Sequence, residues 1–160
     1  MTTTAKTPEG ESRQSRFNRF MANWLASPLG SVSGRMILLR YVGRVSGLPR
    51  QLPVNFDEYE GSYLIGVGRP ERKKWWRNFT EPRPIELVRG RRVVSGSAVA
   101  VPGTTGRGQR IAADYFAAHH GAAKRAGLPK MRKGEVPTPE ALQEAASKMV
   151  FVIVTPGSSQ

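Results

Sequence analysis

Between Met36 and Val101 five strand-like segments follow one another with no long helix between them, and this rhythm limits the fold more than any other feature. Met36–Val42 (MILLRYV) is mostly apolar and runs into the turn signal GRVSGLP. Arg50–Phe56 alternates in part, and Pro53 within it marks an edge strand or a bulge, because proline cannot donate to a ladder. Asp57–Gly61 (DEYEG) reads as a hairpin connection and Ser62–Gly68 (SYLIGVG) as the third strand. Arg69–Phe79 (RPERKKWWRNF) is charged and aromatic and suits one or two helical turns. Ile85–Val88 and Val93–Val101 pair across Arg89-Gly90-Arg91. Short connections of this kind favour an antiparallel sheet or small barrel over a doubly wound parallel sheet.

After Pro102 the pattern changes. Gly106–Gly127 carries Ile111, Tyr115 and Phe116 among many alanines and predicts a helix, followed by a basic loop over Leu128–Pro139. Thr138-Pro139-Glu140 has the form of a helix start, with Thr as N-cap and Pro at the first position, and that helix should reach about Lys148. Met149–Val154 (MVFVIV) is a final buried strand. At the other end, residues 1–12 read as a disordered polar tail. Residues 13–27 read as a basic amphipathic helix carrying Phe17, Phe20, Met21, Trp24 and Leu25. Such a helix either caps the core or lies on an anionic membrane surface. The whole is an α+β chain: one barrel domain over residues 33–155, mostly antiparallel, with flanking helices.

Charge narrows the partners. The 160 residues hold 25 Lys+Arg against 12 Asp+Glu, a net charge of +13, so the surface attracts anions. The excess is concentrated: Arg69 to Arg92 contains nine basic residues against three acidic ones, and Arg35 to Arg50 holds four arginines and no acid. With no cysteine there is no disulfide framework, iron–sulfur cluster or thiol nucleophile. The two histidines, His119 and His120, are adjacent and face different ways on a helix, so they read as surface or partly packed imidazoles and no metal site is expected. No run of about 18 apolar residues spans a bilayer, and the N-terminus lacks the apolar core of a signal peptide, so cytoplasm is the expected location.

No nucleophile elbow, zinc helix motif, P-loop or dinucleotide fingerprint is present, which makes a cofactor the expected source of any reactivity. Two segments carry candidate chemistry. In Gly43–Arg50 (GRVSGLPR) the glycines permit close backbone approach. Backbone N–H groups, the Ser46 hydroxyl, Arg44 and Arg50 could together hold phosphate or carboxylate oxygens. An ordinary glycine hairpin with exposed arginines is the alternative. In the second segment, Arg72, Lys73, Lys74 and Arg77 surround Trp75 and Trp76. That composition suits a flat anionic heteroaromatic ligand or single-stranded nucleic acid, whereas Trp75 as a core plug and Asn78 as a cap is the structural alternative.

The two segments in this order resemble the deazaflavin-dependent nitroreductase family of actinobacteria. The resemblance rests on Gly43-Arg44-Val45-Ser46-Gly47-Leu48-Pro49-Arg50, a second strand with Pro53, the hairpin, and Trp75-Trp76-Arg77-Asn78-Phe79. It implies a split β-barrel of the flavin-reductase and pyridoxamine-phosphate-oxidase type, binding coenzyme F420 with its phosphodiester and oligoglutamate tail. By that likeness Arg44, Ser46, Gly47 and Arg50 lie at the phosphate and tail, and Pro53 and Val54 line the ring. Lys73, Lys74, Trp75 and Asn78 close the site, and Tyr115 is the hydroxyl expected to serve the acceptor. Three positions depart from the family pattern: Val45 stands where Lys is usual, Arg72-Lys73-Lys74 where a His is common, and the Tyr115 helix is not tyrosine-rich. The implied activity is hydride transfer to an electron-poor acceptor such as a quinone or nitro compound. The competing readings are an FMN-binding split-barrel reductase, a non-catalytic F420 carrier and a nucleic-acid-binding module. The last fits no helix-turn-helix or RNP pattern, so a small-molecule acceptor is the expected partner and nucleic acid is not. Monomer and homodimer both remain open.

Overall fold

The computed structural model describes residues 36–130 and 136–157. The expected N-terminal tail and amphipathic helix, residues 1–12 and 13–27, lie outside them. Seven strands form one antiparallel sheet in the order β2-β1-β5-β6-β7-β4-β3. They are β1 (Met36–Val42), β2 (Pro49–Asn55), β3 (Asp57–Tyr59), β4 (Ser62–Gly68), β5 (Arg83–Arg89), β6 (Arg92–Pro102) and β7 (Met149–Pro156). Period-two alternation assigns the faces. Ile37, Leu39 and Tyr41 of β1 meet Val54, Leu87, Ile85, Ala98, Val152 and Ile65 in one core, closed at one side by Phe79. β2 and β4 are separated by four strands in the sheet order, yet they come into contact, because the sheet curls back on itself. No ladder joins them, and the result is the expected split β-barrel. Pro53 sits in β2, at the edge of the sheet, where a residue without an N–H is tolerated.

The outer face of β4, β6 and β7 is covered by helices α1 (Gly106–Ala118), α2 (His120–Arg125) and α3 (Pro139–Ser147). Ile111, Ala112, Phe116, Ala145 and Ala146 pack there against Leu64, Val101, Phe151 and Ile153. β7 is therefore apolar on both faces, which is why MVFVIV shows no alternation in sequence. Thr138 caps α3 as expected, its hydroxyl accepting the Ala141 N–H at 3.2 Å.

Two expectations change. The DEYEG segment supplies a short strand, β3, paired with β4 through Asp57↔Leu64 and Tyr59↔Ser62, rather than serving only as a connection. The predicted helix over Gly106–Gly127 breaks at His119, whose backbone leaves the helical region at φ −127 and ψ 80. No helix among the described residues is long and apolar enough to cross a membrane.

Candidate functional site at the barrel seam

The seam between β2 and β4 opens into a cleft of about 570 Å³. Asn55, Phe56 and Asp57 form one wall, Gly66, Gly68 and Lys73 the floor and rim, and Tyr115, His119 and Arg125 the helical wall. The volume falls in the range that binds small ligands and cofactors. Gly66 decides where Tyr115 sits. A Cβ there would stand 2.5 Å from the Tyr115 hydroxyl oxygen and ring, so only glycine lets the phenol lie flat on the strand. The ring is held further by edge-on contacts with Phe116 at 5.9 Å and Phe151 at 5.3 Å.

Electrostatics inside the cleft are uneven. Burial, and then the Asp57 charge, push the Tyr115 phenol above its ordinary value, with Arg125 opposing, so the hydroxyl keeps its proton at neutral pH. Lys73 is mostly exposed, but desolvation of its ammonium at the cleft rim and the neighbouring Arg69 charge lower its pKa, with Glu71 opposing.

The Gly43–Arg50 loop and the aromatic segment do come together. The backbone N–H of Arg44 donates to Asn78 Oδ1 at 2.7 Å, and the Asn78 amide donates back to the Trp75 carbonyl at 2.8 Å. Asn78 is thus the clip between them. Inside the loop the N–H of Gly43 bonds Leu48 O, the N–H of Gly47 bonds Gly43 O, and the N–H of Leu48 bonds Ser46 Oγ. Gly47 takes φ +67, a left-handed conformation that favours glycine. Four amides that could have cradled an anion are therefore already used. The exposed Arg44 and Arg50 side chains and the Ser46 O–H, still able to donate, face any anion instead.

The other candidates occupy distinct places. Tyr115 and Lys73 line the seam cleft. Val54 turns its side chain into the barrel core, while Pro53, next to it on β2, is half-buried. Trp75 is half-buried and packs edge-on against Phe79 at 6.3 Å; Lys74 is exposed just before the short 3-10 helix Trp75–Phe79. Arg50 is paired in register with Tyr41 and lines a second cleft of about 670 Å³, with Arg40 and Arg83, where β1 and β5 diverge. The second cleft is larger and includes Tyr41 and Glu86, but of the two it is the seam cleft that adds an imidazole to a phenol and a carboxylate. Asp57 and His119 escaped the sequence reading: His119 Nε2 lies 2.8 Å from Asp57 Oδ2 across 62 residues. The one available signal was the i, i+4 spacing of Tyr115 and His119, which puts their rings on one helix face.

A family model described as F420H(2)-dependent quinone reductase matches residues 14–126. The chain belongs to this family. It is an oxidoreductase of the split-barrel class, and its cofactor is coenzyme F420. No curated protein matches the chain. Among solved structures it is similar to Atu2129 of Agrobacterium tumefaciens, a protein of unknown function. There the TM-score is 0.50 at 16% identity, covering 99% of this chain and 60% of that one. It is similar also to an F420 reductase, with TM-score 0.42, 14% identity, and 85% and 92% of the two chains covered. A third is the heme storage protein HutZ of Vibrio cholerae, with TM-score 0.45, 12% identity, and 81% and 86% covered. At these identities the Atu2129 likeness concerns the fold.

For an F420-dependent quinone reductase, the residues present fit the cofactor. Above Gly68 no atom lies within 4 Å of where a Cβ would be, which leaves open space on the cleft floor for a flat ring. The exposed Arg44 and Arg50 guanidiniums have the forked donor geometry that phosphate and carboxylate oxygens accept. Among the described residues no group of three or more His, Asp or Glu is arranged to hold a metal ion.

Proposed function

We propose that the seam cleft is the catalytic centre, binding the F420 ring beside an electron-poor acceptor of the quinone class, with nitro compounds as a second acceptor class. The observation that carries this reading is the phenol of Tyr115, fixed on Gly66 inside the cleft and protonated at neutral pH. Arg44 and Arg50 form ion pairs with the anionic chain of the cofactor, Ser46 donates a hydrogen bond to it, and Gly47 lets the loop turn. Pro53 and the Val54 backbone flank the ring, and Lys73 and Lys74 add charge at the rim. Trp75 and Asn78 act from behind by holding the loop in place.

When bound, the reduced deazaflavin supplies a hydride. A quinone accepting it still needs one proton to become the quinol. Tyr115 donates that proton from its hydroxyl and regains one from solvent through the cleft mouth. The cleft walls would restrict water and orient the acceptor. The test is steady-state reduction of a water-soluble naphthoquinone by reduced F420, with the wild type and Tyr115→Phe compared. Loss of at least tenfold in kcat with unchanged F420 affinity supports the role of Tyr115. Equal kcat in the two proteins refutes it.

A further inference from the structure

Asp57 and His119 have no part in the chemistry above, yet they form a close polar link between β3 and the junction of α1 and α2. Asp57 is the first residue of β3, and His119 is the junction between α1 and α2. Their side chains meet at 2.8 Å and are about a quarter exposed, 23% and 25% respectively, so the pair forms cleft wall rather than open surface. The junction is fixed from its backbone too, because the His119 N–H bonds the Tyr115 carbonyl at 2.9 Å. The imidazole then lies against the Tyr115 ring with centroids 4.5 Å apart and planes 30° from parallel. Tyr115 is thus held from three directions: by Gly66 beneath, by Phe116 and Phe151 at its edges, and by His119 on its face. His119 is in turn bonded to Asp57, another lining residue of the cleft.

We propose that His119, held by Asp57, is a positioning residue that sets the plane of the Tyr115 ring and the width of the acceptor slot, selecting flat aromatic acceptors. The proposal rests on the catalytic reading of the seam cleft. Turning the imidazole off the phenol requires breaking its bond to Asp57, so the two side chains act as one unit. Loss of either frees Tyr115 to tilt, and a planar quinone loses its wall. The F420 tail contacts at Arg44 and Arg50 belong to another element, the β1–β2 loop, and stay as they are.

The experiment compares quinone KM and kcat, F420 affinity by fluorescence titration, and melting temperature for His119→Ala, Asp57→Ala, Asp57→Asn and the His119→Ala/Asp57→Ala double variant. Both single alanine variants are expected to raise the naphthoquinone KM by roughly three- to tenfold, the size of a lost aromatic stacking contact, and to lower kcat as the phenol tilts, with F420 affinity held. The double variant is no worse than either single one, and Asp57→Asn, which still accepts from the imidazole N–H, restores the wild-type KM. An unchanged KM in His119→Ala, additive effects in the double variant, or an equal loss of F420 affinity overturns the proposal. Where His119→Ala fails to fold, the Asp57→Ala and Asp57→Asn pair gives the same decision. A wild-type protein that binds F420 yet reduces no quinone overturns both this proposal and the acceptor reading. Wild-type turnover with indifferent variants overturns this proposal alone.

Discussion

The backbone N–H of Arg44 and the side chain of Asn78 are joined at 2.7 Å across 34 residues of sequence, so the β1–β2 loop is held by the 3-10 helix behind it. That bond turns an exposed, arginine-bearing loop into a fixed one. It also brings two loose motifs, GRVSGLPR and WWRNF, together in space. Asn78→Ala removes the acceptor for Arg44 and the donor to Trp75 together. The expected stability cost is about 1–2 kcal/mol by urea denaturation, because one lost bond is exposed and the other only partly buried. F420 affinity should fall by roughly three- to tenfold as the arginines lose their fixed origin, which the fluorescence titration reads.

Gly66→Ala places a methyl group in the volume of the Tyr115 ring, 2.5 Å from its oxygen. Overpacking of this kind costs about 1–3 kcal/mol and here also displaces the phenol. The variant should fold with a lowered melting temperature and lose most quinone turnover. Adding Tyr115→Ala removes the clash, so the double variant should be more stable than Gly66→Ala alone. Thermal melts of the four proteins in this cycle check the coupling.

Tyr59 donates its O–H to Asp114 Oδ2 at 2.8 Å and ties β3 to α1. That hydrogen bond first, then burial and the Asp114 charge, push its phenol from 10.0 up to about 12. A folded-state pKa above the unfolded one gives a contribution that is complete below pH 10 and lost as pH rises through about 12. Stability should therefore fall more between about pH 9 and about pH 11 in the wild type than in Tyr59→Phe, which lacks the titrating proton. Urea midpoints at the two pH values decide it. Parallel curves for the two proteins contradict the assignment.

Much of the barrel was legible because its signals are local. The apolar runs of β1, β4 and β7, the Arg89–Arg92 turn and the Thr138 cap each declare themselves within a few residues. β3 did not: DEY is three polar residues whose strand state comes from pairing with β4. The break at His119 was hidden for a similar reason, since an alanine-rich stretch favours continuous helix and the contact with Asp57 lies 62 residues away. At the candidate site, the arginine loop stood out by its own residues, Gly43, Arg44, Ser46, Gly47 and Arg50, and Tyr115 by its hydroxyl. The reach of Asn78 to Arg44 and the seating of Tyr115 on Gly66 depend on how the sheet curls, which no short pattern encodes.

On the proposed function, the arginine loop holds the anionic chain of F420 while the seam cleft takes its ring. Fluorescence titration of F420 against the wild type and Arg44→Ala/Arg50→Ala, at low and moderate salt and with FMN in parallel, tests it most directly. Saturable F420 binding is expected to exceed FMN binding, to weaken with salt, and to fall at least about tenfold in the double variant, as two charge-assisted contacts are lost. Equal F420 affinity in the double variant, or preference for FMN, would contradict it.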